Sequence, residues 1–155
     1  MTIDTPAIRH IAGLGIAYEV TDHGPVRSLE EAAAARGMDP DDLIKTLVVR
    51  RGPDDYVLVL VPGLRVIAWP RLRALLGVNR LTMADPDEAK DVTGYERGAI
   101  TPFGLKRPLP VIADERIAGR RVSIGGGAHG VGVMVDGDDL IRVTDATVAD
   151  VTDPR

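Results

Sequence analysis

Two apolar stretches, Leu43 to Val49 and Tyr56 to Val61, flank the tetrad Gly52-Pro53-Asp54-Asp55, and they constrain the fold more than any other part of the chain. Both are rich in Val and Leu, which suit a pleated surface, and the Gly/Pro/Asp cluster between them predicts an antiparallel hairpin. Such a hairpin buries most of its side chains. One residue conflicts with that. Lys45 interrupts the first stretch, LIKTLVV, in a chain that has only three lysines against sixteen arginines. An ammonium is costly to bury without a partner. In strand geometry Lys45 shares a face with Leu43, Leu47 and Val49, while Ile44, Thr46 and Val48 share the other. Two readings stay open at this point. Either Lys45 is an edge-strand lysine reaching solvent, or it is a cation at the mouth of an apolar pocket, placed to hold a phosphate or polarise a carbonyl.

Helix signals surround the hairpin. Thr5 precedes Pro6 and Gly13 follows, predicting a first helix, with a strand near Ile16 to Val20. Ser28-Leu29-Glu30-Glu31 matches a capping box, and the alanine run to Arg36 closes at Gly37. Asp39 to Asp42 (DPDD) is a turn. Pro70 opens a further helix ending at Gly77, Leu81 to Met83 is a short strand, and Asp85 to Asp91 is a short helix with Asp85 capping and Pro86 at its first position. Beyond it, Val111 to Ala113, Arg121 to Ile124 and Val131 to Val135 read as strands, Asp138 to Val143 as a helical turn or two, and Val148 to Val151 as a last strand. Arg65, Arg71, Arg73 and Arg80 are read as a solvated face. Helices alternate with strands, yet hairpin links also occur. The expected fold is α/β, one domain over residues 1–155, with a mixed, curved, barrel-like sheet flanked by helices.

Composition narrows the function classes. No cysteine is present, so disulfides, Cys-ligated metals and thiol catalysis are excluded. The three histidines, His10, His23 and His129, are too dispersed for a metal cluster, and no metal or cofactor is expected. A net charge of −4 argues against a duplex-DNA binder. The amino terminus does not read as a signal peptide, and the longest apolar run, Val57 to Val61, is too short for a bilayer span. A cytoplasmic protein with no membrane partner is the expectation.

Two loops are candidates for chemistry beside Lys45. Gly98-Ala99-Ile100-Thr101-Pro102-Phe103-Gly104 combines glycine, which permits close backbone approach, with a proline that holds the chain extended. Such a loop can aim amide N–H groups at one oxygen. Gly125-Gly126-Gly127-Ala128-His129-Gly130 is the other, with the character of an anion-binding nest between two strands. It lacks the ending of a phosphate-binding Walker loop, and His129 is a donor, acceptor or proton carrier there. His23, in a turn, and Tyr18, in the strand before it, are candidates for the pocket rim and lining.

Taken in order, Tyr18-Glu19-Val20, Lys45-Thr46-Leu47, Met83-Ala84-Asp85, the run Thr93 to Gly104 (TGYERGAITPFG), Gly126 to Gly130 and Asp139-Leu140 resemble the YbaK/EbsC family, free-standing relatives of the editing domain inserted in bacterial prolyl-tRNA synthetases. The resemblance covers nearly the whole chain. It implies hydrolysis of the ester in a mischarged aminoacyl-tRNA carrying a small amino acid, of the tRNA-Pro editing type. By correspondence it makes Lys45 the essential lysine and Gly98 to Pro102 (Gly98, Ala99, Ile100, Thr101, Pro102) the substrate loop. Tyr18, Thr46, Gly127, His129 and Asp139 become binding positions. His129 stands where related sequences often carry Arg or Lys, so a cysteine-specific substrate is not implied. The partners implied are the acceptor end of aminoacyl-tRNA and a prolyl-tRNA synthetase. The alternative is a non-catalytic module of the same fold that binds aminoacyl-tRNA or a nucleotide-like ligand; a scaffold that has lost its site is disfavoured by the retained lysine and loop.

Overall fold

The structure, a computed structural model, describes residues 3–22, 24 and 28–155. His23, named above for the pocket rim, lies outside the described residues. In chain order they form α1 (Pro6–Ala12), β1 (Tyr18–Asp22), α2 (Leu29–Arg36), β2 (Ile44–Gly52), β3 (Asp55–Pro62), β4 (Val66–Ile67), α3 (Trp69–Leu76), β5 (Thr82–Met83), α4 (Pro86–Thr93), β6 (Val111–Asp114), β7 (Arg121–Gly125), β8 (Val131–Asp136), α5 (Gly137–Val143), β9 (Thr147–Ala149) and β10 (Thr152–Asp153).

The expected hairpin is β2–β3, with Lys45 opposite Val61 and Thr46 opposite Leu60. It forms the middle of a five-stranded sheet in the order β5-β2-β3-β6-β9. β6 and β9 join in parallel, so the sheet is mixed. A second sheet, β1-β8-β7, is antiparallel, and a parallel bridge between Leu43 and Ser123 ties it to the start of β2. The strand orders are open, so no barrel closes.

Both faces of the hairpin are covered, as its apolar content requires. Ile44, Val48, Leu58 and Leu60 pack into one cluster with Phe103, Ile124 and Leu140. Val49, Val57, Val59 and Val61 pack into another with Leu72, Ile112 and Val151. The helix ends follow local chemistry. Thr5 Oγ1 accepts from Ile8 N at 3.1 Å, and Ser28 Oγ accepts from Glu31 N at 3.0 Å. Asp85 and Glu88 close a reciprocal capping box.

Two expectations fail at the carboxyl end, for one reason. The single strand expected over Val148 to Val151 divides into β9, paired with β6, and β10, paired with β4. The division falls at the buried carboxylate of Asp114, which accepts from Val151 N at 3.2 Å and from Thr152 Oγ1 at 2.8 Å. The same segment takes up Arg65, read as solvated and in fact half-buried, and also engages Arg71, which stays exposed as read. Arg65 donates to Thr152 Oγ1 at 2.7 Å and to its carbonyl at 3.0 Å. Arg71 donates to the Thr152 carbonyl at 2.7 Å and to Asp153 at 2.8 Å. Short strands β4 and β10 exist because these contacts hold them, which explains why local propensity does not reveal β4.

Candidate functional site

A cleft of about 1030 Å³ opens along β2 between α2, the start of α4, the loop at Gly98 to Ile100 and the turn at His129. Its position follows from strand pairing. β2 is covered on its outer edge by β5 at Val49 and Arg50, and by the single bridge at Leu43. Between these points no strand among the described residues pairs with the edge. The Val48 carbonyl faces this edge, since it accepts from Ala84 N at 3.0 Å. By the two-residue alternation of a strand, the N–H and C=O of Thr46 face it too.

Lys45 and Thr46 therefore meet the cleft differently. Thr46 lies on the face of Ile44 and Val48, is 8% exposed, and its Oγ1 has no hydrogen-bond partner among the described residues. Lys45 borders the cleft, but it shares the opposite face with Leu47, and its ammonium donates to the Arg65 carbonyl at 2.8 Å. This departs from the expected picture of an ammonium aimed at the Gly98 to Pro102 segment. Partial burial, and then the positive charge of Arg155, hold its pKa below the ordinary lysine value.

The two loops do less as amide donors than their glycines suggest, and more as a close-packed wall. The Ala99 amide is engaged with the Glu96 carbonyl at 2.9 Å, and the Gly126 amide with the Val131 carbonyl at 2.9 Å. Gly125 passes so near the other loop that a Cβ would lie 2.6 Å from the Ile100 carbonyl oxygen. Gly98 has φ +91°, a region that L side chains rarely adopt, and lies against the His129 ring. Tyr95 fixes the far end of the loop, with its Oη 2.6 Å from the Phe103 carbonyl oxygen.

Of the binding positions named from sequence, Lys45, Thr46, Gly98, Ile100 and His129 line the cleft. Ala99 and Thr101 are buried beneath it. Pro102 lines a separate cavity of about 290 Å³ beside His10 and Phe103, and Gly127 packs on Tyr95 and Thr5. Tyr18 is opposite Val135, at the end of β8 remote from Val131, roughly 13 Å along the strand. Asp139 sits on α5 and pairs with Arg142 at 3.1 Å. Neither borders the cleft.

Sequence reasoning missed Arg36, Met83 and Arg97, all of which line it. Arg36 entered only as the end of the alanine-rich helix that closes at Gly37. Met83 and Arg97 lie inside the runs that carry the family resemblance, but neither was singled out as a site residue. With them, the electrostatics of the cleft become legible. Arg36, Lys45 and Arg97 border it, and among the described residues no Asp or Glu lines it, although the chain as a whole carries a net charge of −4. At the rim, His129 Nε2 lies 3.1 Å from Glu96 Oε2, and Lys90 is 3.4 Å from the same carboxylate. The His129 hydrogen bond, then Lys90, hold the Glu96 carboxyl below the usual carboxylate range. The cleft is thus shaped to take an anionic ligand with an apolar end, since Ile44, Val48, Ala32 and Ala89 supply its greasy wall. Among the described residues there is no group of three metal-ligating side chains, and no helix is long and apolar enough to cross a membrane.

Comparison with known proteins agrees with this geometry. The model of the aminoacyl-tRNA editing domain matches residues 23–143. The proline–tRNA ligase of Thermosipho melanesiensis is 36% identical over 110 residues, which are 64% of this chain and 19% of that protein. The chain thus spans about a fifth of the ligases it matches. EbsC of Enterococcus faecalis, described as a candidate Cys-tRNA(Pro)/Cys-tRNA(Cys) deacylase, is 24% identical over 81% of this chain and 77% of its own. A crystal structure of a candidate trans-editing enzyme for prolyl tRNA synthetase superposes with a TM-score of 0.87 at 28% identity, covering 98% of this chain and 99% of that one. The chain belongs to the aminoacyl-tRNA editing domain family.

Proposed function

We propose that the protein is an aminoacyl-tRNA deacylase that acts in trans, hydrolysing the ester of a mischarged tRNA that carries a small amino acid. The observation that carries this reading is the cleft whose lining, among the described residues, holds Arg36, Lys45 and Arg97 and no carboxylate, in an otherwise acidic chain, with Glu96 only at the rim. A phosphate-bearing ligand with an ester end suits it. The narrow aliphatic wall beside Thr46 offers a place for a short side chain. Selection by a second small pocket answers the chemistry of the problem, because one methylene gives only about 1–3 kcal/mol of discrimination in a first site. The ester is already activated, so an oriented water suffices as nucleophile.

Lys45 is the proposed catalytic cation. Its ammonium leaves the Arg65 carbonyl and takes a ligand phosphate or the ester carbonyl, an exchange that a flexible four-carbon stem permits. Gly98, Ile100 and His129 form the opposing wall. The likeness to prolyl-tRNA synthetase editing domains makes such a synthetase the proposed partner for tRNA selection.

The test is a panel of mischarged tRNAs with wild type and Lys45→Ala, measuring ester loss. Lys45→Ala is expected to lower turnover on the order of 10²–10³-fold with an unchanged thermal midpoint. An unaltered rate in that variant rejects the assignment. A second reading, a module that binds the aminoacyl end without turnover, is favoured by one observation: the ammonium is already occupied by a backbone carbonyl. Saturable binding across the panel with no hydrolysis by wild type decides for it.

A further inference from the structure

Among the described residues, only two buried side-chain polar atoms lack a hydrogen-bond partner, Arg36 Nε and Thr46 Oγ1. Both residues line the cleft. Buried polar groups in folded proteins are nearly always satisfied, so two orphans in one cavity mark a place where something else binds.

Arg36 is the more telling of the two. It ends α2 and reaches across to β7, where Nη1 donates to Ser123 Oγ at 3.1 Å. Its guanidinium lies close against β8, since a Cβ at Gly132 would stand 2.6 Å from Arg36 Cζ. Ser123 anchors one corner and Gly132 leaves room for the plane. The Nε/Nη2 edge has no partner among the described residues, and no carboxylate neutralises the charge there. Burial lowers its pKa, as expected for a cation without a counter-ion. This contrasts with an arginine buried for structure, which is held by carboxylates or carbonyls.

We propose that Arg36 is a substrate-binding residue whose guanidinium, held by Ser123 at Nη1 and otherwise unpartnered among the described residues, receives a phosphodiester group of the tRNA's terminal nucleotides. Guanidinium matches phosphate with two parallel N–H···O bonds, and the pair is charge-assisted. The group that completes the arginine's hydrogen bonding is thus the ligand. Arg36 fixes the nucleotide, so that the ester falls beside Thr46 on the aliphatic wall. The proposal rests on the tRNA-end reading of the cleft, but not on turnover.

The experiment measures binding of the uncharged trinucleotide CCA across a salt series, for wild type, Arg36→Gln and Arg36→Lys, with adenosine and inorganic phosphate as competitors. Arg36→Gln is expected to weaken the trinucleotide by about ten- to a hundredfold. It should also reduce the slope of log affinity against log salt by about 0.7, the value for one phosphate on a single strand. Arg36→Lys keeps the charge but loses the fork, so its affinity falls between the two with the slope retained; it carries the test if Arg36→Gln does not fold. Adenosine, which has no phosphate, should compete equally with all three proteins. Wild-type affinity and slope in both folded variants overturn the proposal. Inorganic phosphate that displaces the trinucleotide at equal concentration overturns the nucleotide assignment in favour of a general anion site. A wild type that binds CCA through Arg36 yet hydrolyses no aminoacyl-tRNA defeats the deacylase reading alone, whereas full deacylation by Arg36→Gln with unchanged KM defeats this one alone.

Discussion

Two regions of this molecule use arginine in opposite ways. At the carboxyl-terminal corner, the donors of Arg65, Arg71 and Arg116 are filled by oxygens of β10 and its neighbours. Arg65 is bonded to Thr152, Arg71 to Asp150 and Asp153, and Arg116 to Asp114 and Asp150. In the cleft, Arg36 has a single serine and Arg97 has no partner among the described residues. A guanidinium whose donors are filled by carboxylates and carbonyls has nothing left to offer a ligand. One left partly unfilled, in a low-dielectric wall, is poised to take an anion. The same side chain is structural in one place and receptive in the other, and only the company it keeps distinguishes the two. Lys45 lies on the boundary: it borders the cleft, yet its ammonium is tethered to the Arg65 carbonyl, part of the corner network.

The comparison breaks most severely at Asp114, the fully buried carboxylate on which the corner converges. Asp114→Ala strands the Thr152 hydroxyl, the Val151 amide and one side of Arg116 together. A loss of about 3 kcal/mol is expected, read from denaturant unfolding. A loss under 1 kcal/mol would show that the corner is not a folding determinant. The same variant should disturb Lys45 through Arg65, so its deacylation rate should fall further than its folded fraction explains.

Thr46→Val sharpens the other side of the comparison. Removing an unpartnered buried hydroxyl should leave stability unchanged or raise it by up to about 1 kcal/mol, while substrate affinity falls roughly three- to tenfold. A thermal midpoint that drops with KM unmoved would mean that the hydroxyl is structural.

The smallest effect is at the rim. The folded-state carboxyl of Glu96 is held below its unfolded value, so its contribution is complete above the unfolded pKa and disappears as pH falls through the lowered folded one. The difference in thermal midpoint between wild type and Glu96→Gln should therefore be largest near neutrality and vanish in acid. A difference that grows on acidification contradicts the pairing with His129 and Lys90.

Much of the fold was readable locally because its signals are local. Caps at Thr5, Ser28 and Asp85, the glycine ends at Gly37 and Gly77, and the reversal at Gly52 to Asp55 each depend on a few adjacent residues, and each appears where those residues predict. The strand over Val148 to Val151 was misread because its division depends on Asp114, more than thirty residues away. At the site, the apolar pattern told which side chains share a face with Lys45, but not what covers that face. Both faces of the hairpin are greasy, so alternation carries no sign of which one meets the cleft. Tyr18 entered from its place in the first strand and by correspondence, Asp139 by correspondence alone, and neither lines the cleft: Tyr18 pairs with Val135 and Asp139 lies on α5.

By itself, then, the sequence determined the hairpin, the helix starts and the family, because these rest on short-range sterics and on the order of motifs along the chain, while α4 runs on to Thr93, past the Asp91 its sequence suggested. Tertiary structure alone decided which cations are neutralised, which edge of β2 stays open and which two buried atoms lack partners. Charge pairing and desolvation depend on distance in space, and residues such as Arg36 and Ser123, or Arg65 and Thr152, meet only after the chain has folded.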